Sequence, residues 1–147
     1  MYVRELVLSY RPKLCEGLDY VGRHVSNPRE SAVILAGLLG HEATEVFGVL
    51  CLSAKNHLLA YREVGRGSLT TVPISPAVVY QAALLANAQA VIVAHNHPSG
   101  DPTPSPDDRE ATRRLQAAGV VMNIDLLDHV IVGHDGRYFS FREMGVM

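Results

Sequence analysis

The chain changes its hydrophobic period several times, and each change marks an element. Residues Leu6 to Tyr10 alternate in part and predict a short strand. Residues 11–26 are mixed and are expected to wrap the surface. Asn27-Pro28-Arg29-Glu30 then predicts a helix start. Asn27 can cap, proline suits the first helical position, and Glu30 stands where a capping box places its acid. The segment to about Leu39 is apolar nearly all round, as in a well-buried helix. Glu45 to Ser53 alternates with period two. Glu45, Phe47, Val49 and Cys51 share one face, and Val46, Leu50 and Leu52 share the other. The turn residues Ala54-Lys55-Asn56 and a second run from His57 to about Val64 complete a hairpin.

Ser75-Pro76 opens a second helix. Ala90-Val91-Ile92-Val93-Ala94 is a continuous apolar run, the mark of a central strand covered on both faces. Ser105-Pro106 opens a third helix, expected to reach about Ala118 and stop at Gly119. Val120–Leu127 and His129–Val132 read as two further strands. Asp135-Gly136 predicts a turn before a last strand, Tyr138–Phe141. The expected order is β, α, ββ, α, β, α, β, β, β. It describes an α/β domain, a mixed β-sheet sandwiched by helices.

Composition narrows the class. Of 147 residues, 48% are apolar, enough for a core without covalent staples. No uncharged run approaches the ~20 residues of a membrane helix, and Met1-Tyr2-Val3-Arg4-Glu5 lacks the layout of a signal peptide. A cytoplasmic protein without membrane contact is expected. The net charge of −2 argues against a basic nucleic-acid module. Cys15 and Cys51 are too few for a disulfide framework, and Cys51 sits in an apolar run as a small core residue.

The chemistry gathers where the central strand ends. Residues two apart on an extended chain point the same way, so His95 and His97 can converge on one point. Prolines at 98, 102, 104 and 106 stiffen the loop that turns the chain back. Asp108 then falls in the first turn of the next helix, where it can supply an oxygen ligand. Three protein ligands leave a position for water, as in catalytic zinc sites. Ser105 and Asp108 are equally well spaced for a capping box. Other motifs fail. His41-Glu42 lacks the second histidine of a zincin helix, no PCxxC accompanies the histidines, and Gly65-Arg66-Gly67-Ser68 is too short for a phosphate fingerprint.

The spacing His-x-His-x7-Ser-x2-Asp, from His95 to Asp108, resembles the JAMM (JAB/MPN-plus) metalloprotease motif. Within that superfamily the chain resembles the bacterial RadC family. The resemblance rests on His95 to Ser105, on Asp128-His129-Val130-Ile131-Val132-Gly133, and on Ser140-Phe141-Arg142-Glu143-Met144-Gly145. It covers roughly residues 20 to 147 and implies a single JAMM/MPN-type, cytidine-deaminase-like domain over 1–147, with 1–20 as an N-terminal extension. It implies His95, His97 and Asp108 as ligands of one zinc ion. It also implies Ser105 as the hydroxyl beside the metal and Glu45 as the acid–base group. Glu42 is the nearby competitor but lies outside the strand pattern. The face shared with Phe47 and Val49 would partly desolvate the Glu45 carboxyl and favour proton shuttling. His129 matches a family position and reads as a hydrogen-bonded structural histidine.

The resemblance implies zinc-dependent hydrolysis of a peptide or isopeptide bond in a peptide or protein substrate. Two rivals remain: a nucleic-acid metal hydrolase, in line with the DNA-repair association of the RadC name, and a noncatalytic metal-binding interaction module. Arg109, Arg113 and Arg114 are expected on a solvated helix face, with Glu110 pairing Arg114, or in contact with substrate or nucleic acid. Ser53 and Pro76-Ala77-Val78 depart from the family's usual aspartate and Arg-Glu at those places. An uncovered edge strand could pair two copies into a homodimer. The helix-hairpin-helix-like segment common in RadC chains has no counterpart here, so the catalytic-type domain alone is expected.

Overall fold

The computed structural model describes residues 1–13, 22–67 and 74–147. Cys15 and Ser68 lie outside them. The elements run α1 (Pro28–Leu39), β1 (Val46–Leu52), β2 (Leu58–Arg66), α2 (Pro76–Leu85), β3 (Ala90–Asn96), α3 (Pro106–Met122), β4 (Asp125–Val132) and β5 (Tyr138–Ser140). The strands form one mixed sheet in the order β2-β1-β3-β4-β5. β3 and β4 are parallel, joined by α3 as a crossover, and the other neighbours are antiparallel.

The two faces of the central strands explain the layers. Val46, Leu50 and Leu52 of β1 and Ala90, Ile92 and Ala94 of β3 pack with Ile34, Leu35 and Leu39 of α1. Phe47, Val49, Cys51, Val91 and Val93 pack on the opposite side with Val79 and Ala83 of α2 and Leu115 of α3. Every residue of β1 and β3 is buried, as expected of strands covered on both faces. The expected α/β sandwich is what the chain forms.

Local signals account for most boundaries. The Asn27 side chain accepts from the Glu30 N–H at 3.0 Å. Glu30 reaches back to the N–H of Ser26 at 2.8 Å, one residue before the cap. The exposed Val33 shows that α1 is not buried all round. The β1–β2 hairpin forms as expected, with Asn56 at φ 57° in its turn.

Three expectations fail. Leu6–Tyr10 is not a strand: Leu6, Val7 and Tyr10 are 81%, 75% and 71% exposed, and no strand pairs with them among the described residues. Alternation alone does not hold a strand without a hydrogen-bonded neighbour. Gly119 does not end α3, which runs to Met122 and is capped by Asn123 at φ 55°. A Cβ at Gly119 would lie 2.5 Å from the Tyr80 hydroxyl and 2.6 Å from the Ile124 carbonyl. Close approach of α2, not chain reversal, is what needs this glycine. Val120-Val121-Met122 therefore belongs to α3, and the two predicted late strands merge into β4.

Candidate metal centre

β3 brings His95 and His97 to the end of the sheet beside α3. The His95 ring is fully buried, lying 9° from parallel with Phe47 at 5.6 Å between centroids. His97 is partly exposed at the mouth. The two Nε2 atoms are 3.0 Å apart. Asp108, in the first turn of α3, places Oδ1 3.1 Å from the His95 Nε2 and Oδ2 3.4 Å from the His97 Nε2. Glu45, just before β1, places Oε1 3.6 Å from the His95 Nε2. One ligand atom from each of Glu45, His95, His97 and Asp108 lies within 4.8 Å of all the others. Glu42, in contrast, holds Arg66 at 2.9 and 3.2 Å and stands outside this group.

The capping and ligand readings of Asp108 are both realised. Its Oδ2 accepts from the Ser105 N–H at 2.8 Å, and the Ser105 Oγ accepts from the Asp108 N–H at 3.1 Å. The box orients the carboxylate toward the histidines. Ser105 lines the same cleft, and its hydroxyl hydrogen has no acceptor among the described residues.

Burial opposes ionisation of Asp108, but hydrogen bonds from His95, His97 and the Ser105 N–H outweigh it and hold the carboxyl well below the usual range. The hydrogen bond to Asp108 raises the His97 pKa against the opposing effect of burial. The His97 Nδ1 sits 2.8 Å from the Asp101 carbonyl, which can only accept. Neutral His97 therefore carries its proton on Nδ1 and aims an Nε2 lone pair at the His95 Nε2.

Such a set of donors calls for a cation. A tetrahedral ion bound at ~2.0–2.1 Å sets its ligand atoms about 3.3 Å apart. The 3.0 Å between the two Nε2 atoms and the 3.1 Å from the His95 Nε2 to the Asp108 Oδ1 lie near that spacing.

The RadC-like JAB domain model matches residues 25–146. The chain belongs to the RadC family. It is 49% identical over 121 residues to a UPF0758 protein of Symbiobacterium thermophilum, covering 82% of this chain and 51% of that one. It is 40% identical over 123 residues to a UPF0758 protein of Desulfitobacterium hafniense, covering 84% and 54%. It is 42% identical over 121 residues to one of Caldanaerobacter subterraneus, covering 82% and 52%. The chain thus spans about half the length of the curated relatives it matches. Its fold is consistent with a JAB/MPN-type domain, and its Glu/His/His/Asp cluster suits a metal, as in JAMM proteins. Among the described residues, no helix is long and apolar enough to cross a membrane.

Asn96 has no role in the sequence reading, yet it joins this RadC site together. Its side chain points away from its histidine neighbours. The Oδ1 accepts from the Val46 N–H at 2.7 Å, and the Nδ2 donates to the Glu42 and Thr44 carbonyls at 3.2 and 3.0 Å. The segment carrying Glu45 is thereby tied to the strand carrying the histidines. An amide between two histidines at a strand end was the available signal. The arginine expectation also changes: Glu110 pairs Arg113 at 2.6 and 2.9 Å rather than Arg114, and Arg114 turns into the cleft.

Proposed function

We propose that this RadC chain is a zinc-dependent metallohydrolase that activates water to cleave a peptide or isopeptide bond. The convergence of Glu45, His95, His97 and Asp108 at one end of the sheet carries this reading. Glu45, His97 and Asp108 border a cleft of about 410 Å³ whose lining includes Phe47, Ile74 and Ala111 beside Ser105. Apolar walls with a few converging polar groups suit a segment of polypeptide.

A bound zinc ion supplies Lewis acidity and lowers the pKa of water toward ~7. His95, His97 and Asp108 would hold it. The Glu45 carboxylate takes the proton of the attacking water and returns it to the leaving amine. The Ser105 hydroxyl donates to the carbonyl oxygen as negative charge develops there. Asp107 and Glu110 line the cleft with Arg114 and speak against a phosphodiester substrate, whose backbone calls for several cations.

Hydrolysis of a peptide and isopeptide panel by the zinc-loaded protein tests the reading. Cleavage abolished in Glu45→Gln, with zinc still bound, is the expected result. Equal cleavage by Glu45→Gln would overturn the assignment of the base.

A further inference from the structure

The proposed hydrolysis leaves one arginine of the cleft without a task. Asp107, Ala111 and Arg114 follow one another in α3 at spacings of four and three residues, so they form one stripe along the helix. All three line the cleft. Arg114 is exposed, and it makes no hydrogen bond or ion pair to another of the described residues. The acid nearest to it on the helix, Glu110, is gripped by both prongs of Arg113 instead, at 2.6 and 2.9 Å. The Arg114 charge acts on Glu110 through space alone.

Charge is unevenly spread along the cleft. Glu45 and Asp108 stand at its metal end, and Asp107 shares the first turn of α3 with Asp108. Arg114 stands at the other end, six residues after Asp108, which is about 9 Å along the helix axis. The apolar side chains of Phe47, Ile74 and Ala111 wall the space between. Such walls lower the effective dielectric and strengthen an ion pair made beside them. A carboxylate on a bound peptide is repelled by Glu45 and Asp107 and finds its partner at Arg114. A guanidinium presents parallel N–H donors that match the two oxygens of a carboxylate. An extended peptide advances about 3.3 Å per residue, so 9 Å spans about two to three residues.

We propose that Arg114 is a specificity-determining residue that selects peptides carrying a carboxylate about two to three residues from the bond that is cut. The inference rests on the hydrolase reading above and names the substrate class for the same cleft. An acidic side chain and the C-terminus of a peptide present the same two oxygens, so either can supply the carboxylate. The acids at the metal end set the register. They disfavour a carboxylate next to the scissile bond, and Arg114 attracts one farther along. A charged hydrogen-bonded pair of this kind favours the acidic peptide about 10-fold or more.

The test moves one acidic position through short peptides and reads binding as well as cleavage. One peptide set is amidated at its C-terminus and carries a single Glu, or Gln in its place, at each position in turn. A second set has neutral side chains and ends in a free carboxylate or an amide. All carry an uncharged N-terminal fluorophore. Anisotropy measures binding to the Glu45→Gln chain supplied with zinc, and mass spectrometry locates the bonds cut by zinc-supplied wild type. Acidic peptides are expected to bind and to be cut about 10-fold better than their neutral twins, with the carboxylate about two to three residues from the cut. The ratio should fall to about one when Arg114→Gln is introduced and be partly restored by Arg114→Lys. Arg114→Glu should transfer the preference to Lys at that position. Each ratio is taken within one variant, so a loss of folded protein cancels. The set that shows the preference identifies the source of the carboxylate. The proposal is overturned if neither set shows a preference in binding, or if the preference survives Arg114→Gln. Wild type that cuts no peptide, while binding keeps an Arg114-dependent preference, would refute the hydrolase reading and leave the carboxylate site standing.

Discussion

Replacing Asn96 by alanine removes the clamp between the strand of the histidines and the segment of Glu45. Three hydrogen bonds are lost, to the Val46 N–H and to the Glu42 and Thr44 carbonyls. They are not equal. Val46 is fully buried, and its orphaned N–H cannot recruit water, which costs about 1–3 kcal/mol. Thr44 is exposed and Glu42 half-buried, so their carbonyls rehydrate and each loss costs about 0.5–1 kcal/mol. The expected destabilisation is therefore about 2–5 kcal/mol, a fall in melting temperature of about 4–20 °C for a domain of this size. Urea unfolding followed by circular dichroism measures it. Because Glu45 adjoins Val46, catalysis should fall further than zinc binding, whose three ligands lie on β3, one residue beyond its end, and on α3. A variant within about 0.5 kcal/mol of wild type would refute the reasoning, because no orphaned buried N–H is that cheap.

Other predictions follow from single contacts. In metal-free protein the folded pKa of His97 is raised above 6.5, so its stabilisation is full below that pH and is lost as pH rises through the folded value. Saturation with zinc should reverse this trend, because imidazole binds metal only when deprotonated; melting curves against pH, with and without chelator, check both arms, and a metal-free midpoint that rises above pH 6.5 would contradict the assignment. Gly119→Ala should destabilise by about 1–3 kcal/mol through its clash with Tyr80 and Ile124, although alanine alone favours a helix by about 1 kcal/mol; a raised melting temperature would contradict it. Burial pushes the Cys51 thiol up to about 11, against the opposing charge of Arg62, so peptide mapping after alkylation at neutral pH should find Cys51 unmodified in folded protein and modified in urea.

Much of this architecture is legible in the chain because single residues state local physics. Pro28, Pro76 and Pro106 each open a helix, and the alternation from Val46 to Leu52 assigns each side chain to the correct face. His95, His97 and Asp108 can be read together because a strand end, a stiff loop and a helix start constrain where they point. The failures concern nonlocal partners. Leu6–Tyr10 has strand-like alternation but no pairing strand among the described residues, and Val120-Val121 has strand propensity but lies in a helix whose length is set by packing and by Asn123. Gly119 looks like a stop signal until Tyr80 is seen against it. Asn96 acts through a backbone group 52 residues away, among others, which no motif spacing reveals.

The central claim is that His95, His97 and Asp108 hold a catalytic metal ion. Elemental mass spectrometry of purified wild type and of a His95→Ala/His97→Ala double variant tests it most directly. About one zinc per wild-type chain and none in the double variant is the predicted result. Wild-type protein that retains no metal after zinc is offered and the excess removed would contradict the claim.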